Sequence, residues 1–260
     1  EALSTEQIEV RRMASPKRAT QAAYPLNVAP RGLVILVNFA DLAFETSHAE
    51  LDSMLTGNNY TRDYSYTYRG KTYNITSEGS ARQYFQDASY GQYNPQFDVI
   101  GPVTISNNMS YYGKNDSYGN DMYPDKMVSE ACKLADTEYD VDFTQYDNDN
   151  DGYVDFVFVI YAGYGEADGG VATTIWPHSW NLLAAGTRCQ VDGKTVDLYA
   201  CGNELDYYSK MHTGIGTFCH EFSHVLGLPD LYETNPKKQL HNKKTFGMWS
   251  ILDYGPYNND

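Results

Sequence analysis

Apolar positions along this chain fall into short, dense runs separated by polar and glycine-rich stretches. Residues 32–39, Gly-Leu-Val-Ile-Leu-Val-Asn-Phe, are β-branched and followed by Asp41, which predicts a buried strand. Residues 97–105 predict a second strand, broken at Gly101-Pro102. Residues 153–161, Tyr-Val-Asp-Phe-Val-Phe-Val-Ile-Tyr, form the most hydrophobic run and belong at the centre of a sheet. Residues 194–200 predict a further strand. Helical spacing marks residues 45–57, 80–88, 122–137 and 213–226. Ala81, Tyr84 and Phe85 share one face of the second, Pro124 opens the third, and Gly227 and Pro229 end the fourth. The tyrosine-rich stretch 60–73 predicts a surface hairpin or loop, and glycine-rich 163–170 a loop. Residues 1–24 carry no long periodic face and are expected to be an N-terminal extension or propeptide remnant outside the core. Residues 25–260 then form one domain. Strands mixed with a few helices predict an α/β fold with one twisted, mixed sheet.

Composition narrows what this domain does. At 260 residues, 42% hydrophobic and 20% charged, the chain can bury a sizeable core. Its formal net charge of −15 argues against a nucleic-acid partner, since phosphate contacts need clustered Lys and Arg. No run approaches the roughly 18 consecutive apolar residues of a membrane span. The chain starts at Glu1 without a basic-then-apolar leader, so an export signal is expected to have been removed or left out. Asn59, Asn74, Asn108 and Asn115 each open an N-x-Ser/Thr triplet, as chance also provides in an Asn-rich chain. The four cysteines, Cys132, Cys189, Cys201 and Cys219, include no C-x-x-C pair, which disfavours a cysteine-only zinc site. Cys189 and Cys201 look like partners, yet a tight turn at Asp192-Gly193 would set position 189 opposite 196. Buried free thiols are an equal alternative, and no pairing is assigned.

The chemistry lies in His220-Glu-Phe-Ser-His224-Val-Leu-Gly227-Leu-Pro-Asp230. On a helix, positions i and i+4 share a face, so His220 and His224 can reach one cation. Glu221, about 100° round the axis, can reach a water bound to that cation. Gly227 accepts φ > 0 and turns the chain sharply, so that Asp230 can swing back as a third ligand. Two imidazoles and a carboxylate leave a fourth position open, the layout of a catalytic zinc site. Composition alone produces this spacing on the order of once in ten thousand chains. The competing reading is a helix with two core histidines and a solvent-facing Glu. His178, in Trp176-Pro-His-Ser-Trp180, has no ligand spacing to another histidine and reads as a packed loop residue.

This segment resembles the extended zinc motif of the metzincin metallopeptidases. The Asp at the third position makes it most similar to the immune inhibitor A group of secreted endopeptidases. The likeness extends to Val34 through Asp41, to Gly79-Ser-Ala-Arg-Gln-Tyr-Phe with Ser89-Tyr-Gly-Gln, to Phe97-Asp-Val-Ile-Gly-Pro-Val and to Ile175-Trp-Pro-His. The resemblance implies a metzincin-like catalytic domain whose active-site helix carries the motif. It also implies a turn below the zinc, here Ser250-Ile-Leu252-Asp-Tyr254, with Leu252 where the family has Met. In some metzincins the Tyr at the place of Tyr254 steadies the transition state, and the resemblance carries that catalytic role to Tyr254. The chain ends at Asp260, soon after this turn, and a shortened C-terminal part is expected.

A second metal is expected at Asp147-Asn-Asp149-Asn-Asp151-Gly152-Tyr153-Val-Asp155, which has the spacing of a calcium loop. Asp147, Asp149, Asp151 and Asp155 would supply carboxylates and Tyr153 a carbonyl. Phe158 stands where an EF-hand has its bidentate Glu, and a strand follows, so the likeness is to the loop alone. The alternative is an acidic surface turn.

These features together predict a secreted zinc endopeptidase acting on extracellular proteins or peptides. Zinc would be held by His220, His224 and Asp230, with Glu221 as general base. The substrate is expected to lie along an edge strand, placed at residues 195–200. Two alternatives stand beside it: a non-catalytic, metal-stabilised binding module derived from a peptidase, and a zinc amidase acting on something other than protein.

Overall fold

The computed structural model describes residues 29–207, 209–232, 246–253 and 255–257. The extension expected over residues 1–24 lies outside these. In chain order the strands are β1 (Arg31–Asn38), β2 (Thr61–Tyr68), β3 (Lys71–Glu78), β4 (Gln96–Thr104), β5 (Tyr153–Val154), β6 (Val157–Tyr164), β7 (His178–Asn181), β8 (Cys189–Val191), β9 (Lys194–Val196) and β10 (Leu198–Leu205). Five of them build the main sheet in the order β4-β1-β6-β10-β7. All are parallel except β7, which runs antiparallel to β10 along one edge. The expected mixed sheet is therefore present, with β6 at its centre.

Alternation along the strands divides the core in two. Leu33, Ile35, Val37, Val157, Val159 and Tyr161 face one side, against the helix Pro124–Tyr139 through Met127, Val128 and Ala131. Val34, Leu36, Phe158 and Ile160 face the other, against the helices His48–Thr56, Ala81–Ala88 and Gly216–Val225. The sheet is thus buried on both faces, which is why its strands read as continuous apolar runs. Two of these helices start at side-chain caps. Ser47 accepts from Glu50 N, and Ser80 forms a reciprocal capping box with Gln83.

Two predicted strands divide. Residues 153–161 split at Asp155, whose carboxylate turns back to Asn148 N and Nδ2 at 2.7 and 2.9 Å. Residues 194–200 split at Asp197, whose Oδ1 accepts from Leu183 N at 2.9 Å. β5 and β9 join β8 in a separate three-stranded sheet, while β6 and β10 continue in the main one. Both pairings keep one register, Tyr153 opposite Thr195 and Val157 opposite Tyr199. Residues 195–200 are therefore not the edge expected of them. β10 is buried along its whole length, and the edge beside it is β7. β7 is four residues long and only Trp180 in it is apolar, which leaves almost no strand signal in sequence.

The tight turn expected at Asp192-Gly193 forms, and the tyrosine-rich stretch takes the hairpin form of the two expected of it. Arg69-Gly70 joins β2 to β3 and Asp192-Gly193 joins β8 to β9, all four residues at positive φ as a two-residue hairpin turn requires. Cys189 lies opposite Val196 and away from Cys201, and all four cysteines are buried free thiols. The expected loop 163–170 begins later, because β6 runs on to Tyr164.

Candidate active site

The helix Gly216–Val225 is fixed by its apolar side. The Phe222 ring meets Phe85, Phe97 and Phe156 at 5.1, 5.1 and 5.2 Å, and Phe218 lies against Phe97 at 4.9 Å. Truncating such a ring to Ala costs about 3–5 kcal/mol. A residue two places along a helix points about 200° round the axis, so His220 and His224 face away from this aromatic cluster.

The helix ends in a Schellman turn. Gly227, at φ 86°, donates to His224 O at 2.9 Å, and Leu228 N donates to Ser223 O at 3.1 Å. The chain reverses and brings Asp230 back. His220 Nε2 and His224 Nε2 are 3.1 Å apart, and Asp230 Oδ1 is 3.4 Å from each. A cation with bonds of about 2.0–2.1 Å in a tetrahedral array separates its ligand atoms by about 3.3 Å.

The outer nitrogens settle the tautomers. His220 Nδ1 donates to Ile251 O at 2.7 Å, and His224 Nδ1 donates to Leu228 O at 2.9 Å. Each Nε2 then points a lone pair inward. Three acceptor atoms converge with no donor between them, and Asp230 Oδ1 is buried without a hydrogen bond of ordinary geometry. A positive charge is what the arrangement lacks, and the donor set fits zinc.

Protons compete for that place. Burial works to lower the pKa of His224, but Asp230 and Glu221 outweigh it and carry it up to about 9. Asp230 moves below the usual carboxylate range: burial opposes the shift, and both imidazoles overcome it. A histidine whose folded pKa is raised adds stability that is complete below its unfolded value near 6.5 and is lost as pH rises to about 9. The zinc-free protein is expected to lose melting temperature across that window. Scanning calorimetry of wild type and Asp230→Asn checks this, and an equal slope in both would refute it.

Burial raises the Glu221 carboxyl above the ordinary range, while the imidazoles of His220 and His224 pull it back. Glu221 therefore lies within the field of the ligand cluster. The turn that supplies the Ile251 carbonyl is braced by Asp253, whose buried Oδ2 accepts from Phe246 N and Gly247 N at 2.9 and 2.6 Å. Leu252 is buried there, and its carbonyl accepts from Leu231 N at 2.8 Å, tying the turn to the segment after Asp230. Neither carbonyl role nor the Asp253 brace was legible in the motif, since a carbonyl has no side-chain signature. Tyr254, expected to be catalytic, lies outside the described residues.

Asp147, Asp149 and Asp151 come together as the loop spacing predicts. Asp155 does not join them: it is buried between β5 and β6 in the chain, with Oδ2 on Asn148. Tyr153 opens β5, its N–H donating to Asp151 Oδ1 at 2.9 Å. Lys194 of β9 places Nζ 2.6 Å from Asp147 Oδ2, a resident cation that no spacing within the loop announces. His178 opens β7 instead of lying in a loop, with Nδ1 donating to Trp176 O at 2.6 Å and Nε2 facing the Tyr199 hydroxyl at 2.9 Å.

Comparison with known proteins bears on this cluster. The model of the family described as Immune inhibitor A peptidase M6, catalytic domain, matches residues 27–259. The chain belongs to that family. It is similar to the pre-pro-metalloprotease PrtV of Vibrio cholerae serotype O1, 28% identical over 253 positions that cover 86% of this chain and 27% of PrtV. It is also similar to Immune inhibitor A of Bacillus thuringiensis subsp. alesti, 27% identical over 267 positions that cover 92% of this chain and 38% of that protein. The chain thus spans well under half the length of these relatives. The family's name is that of a peptidase and the Vibrio relative's that of a metalloprotease, and the clustered imidazoles and carboxylate are where a metal would sit.

Proposed function

We propose that the protein is a zinc-dependent endopeptidase of metzincin type, acting outside the cell on proteins or peptides. The observation that carries this reading is the convergence of His220 Nε2, His224 Nε2 and Asp230 Oδ1 at 3.1 to 3.4 Å, with both outer nitrogens on backbone carbonyls. Zinc bound there would polarise a scissile carbonyl and acidify a water. Glu221 would take that proton and deliver it to the leaving amine. Tyr254 would assist the developing charge. The substrate would pair with β7, whose outer edge is open among the described residues. Export is supported by the pre-pro name of the Vibrio relative, and no described helix is long and apolar enough to cross a membrane.

The test is zinc content measured together with cleavage of an unfolded protein. One zinc per chain and loss of cleavage on chelation, restored by zinc, are expected. Cleavage indifferent to chelation would overturn the reading.

Calcium at Asp147, Asp149 and Asp151 is proposed as a structural ion that displaces the Lys194 ammonium. A ligand bound only by the folded state stabilises by about 2.7 kcal/mol at a hundred times its dissociation constant. Calcium should therefore raise the melting temperature of the zinc-loaded protein, more so in Lys194→Met and not at all in Asp149→Ala. A wild-type melting point that ignores calcium would leave the loop as an acidic turn.

A further inference from the structure

Beside β7 lies a cavity of about 430 Å³. Tyr199 and Trp180 on its wall pack with the core that covers the helix Pro124–Tyr139, whereas Phe218 and Phe222 of the histidine-bearing helix belong to the other core. The cavity is therefore on the sheet face opposite that helix, and it is separate from the ligand cluster. Its lining includes Asp121, Asp125, Trp176, His178, Trp180 and Tyr199, and no Lys or Arg is among the described residues that line it.

Asp125 is 7% exposed. One of its oxygens accepts from the Thr187 hydroxyl, and the other accepts no hydrogen bond among the described residues. Asp121 accepts from Trp176 N at 3.0 Å. Burial raises the Tyr199 phenol, and the charges of Asp125 and Asp121 add to the rise, so the field of both carboxylates reaches this wall. Asp125 stands in the first turn of its helix, where the N-terminus contributes about half a positive charge, less than either carboxylate removes. The cavity is thus net negative, walled by indole rings, and sized for a long side chain. Carboxylates with aromatic faces bind a guanidinium or ammonium group well.

Pairing rules connect the cavity to a substrate. Residues opposite one another across a ladder point to the same face, as Trp180 and Tyr199 do here. A peptide residue opposite His178 or Trp180 on the free edge of β7 would send its side chain to the cavity's face. We propose that this cavity is a specificity pocket for a lysine or arginine side chain of the bound peptide, with Asp125 as its principal charge partner and Trp176 and Trp180 as its walls. The inference rests on the peptidase reading in placing the substrate along β7.

Binding tests it without turnover. Trp176 and Trp180 are two of only three tryptophans, and the third, Trp249, is 95% exposed. In a Glu221→Gln background, an acetylated tripeptide amide with one arginine is titrated against its norleucine counterpart, following tryptophan emission. The arginine probe should saturate at a concentration about tenfold lower or better, the scale of one charge-assisted contact. Asp125→Asn should bring the two probes together. Ala185→Arg should do the same by tethering a guanidinium in the cavity, and because Ala185 is exposed, this variant decides if Asp125→Asn fails to fold. Equal affinity for both probes in the parent protein, or an arginine preference that survives in a folded variant, overturns the pocket. Chelator-sensitive cleavage with no arginine preference would sink the pocket alone. An arginine preference in a protein that cleaves nothing would sink only the peptidase reading.

Discussion

Glu221→Gln is expected to keep zinc at wild-type content and to lower kcat by about 10²–10⁴-fold, the usual worth of a positioned general base. The amide has nearly the same shape as the carboxyl, so the helix and its aromatic anchor at Phe218 and Phe222 are undisturbed. What is lost is the ability to accept a proton beside the ligand cluster. Metal analysis and turnover on an unfolded protein read the two effects separately. Near-normal turnover would assign the base to another group, and loss of zinc would show that Glu221 shapes the metal site.

His224→Ala is expected to remove zinc and turnover together. Two ligands cannot hold a catalytic zinc as three do, and the variant also frees the Leu228 carbonyl that the imidazole Nδ1 engages at 2.9 Å. Asp230 would lose one of the two imidazoles that hold its carboxyl down. The fold should survive, because His224 points away from the buried Phe222 face and contributes nothing to that core. Full zinc occupancy in this variant would refute the ligand assignment. Zinc loss with retained cleavage would instead detach the reaction from the metal.

The ligand cluster was legible because its parts are local. Helical periodicity places His220 beside His224, and the single glycine at position 227 fixes where the chain must turn. The same locality explains why the hairpin turn at Asp192-Gly193 and the helix end at Gly227 were readable. Each is decided within a few residues by φ preference. The calcium loop was only partly legible: spacing gathered three aspartates, but Asp155 was drawn to Asn148 and Lys194 arrived from a strand distant in sequence.

By itself the sequence determined the apolar runs that become β1, β4 and β6, the helix that carries the histidines, and the family to which the chain belongs. Tertiary structure alone decided which strand lies at the edge. β7 is four residues long and is held by pairing with β10, so nothing in its own composition announces it. Tertiary structure also decided where the runs 153–161 and 194–200 break, since Asp155 and Asp197 leave the ladder for Asn148 and Leu183 in the segments before them. It decided the imidazole tautomers too, because the acceptors are the carbonyls of Leu228 and Ile251, groups that every residue carries and no pattern reveals.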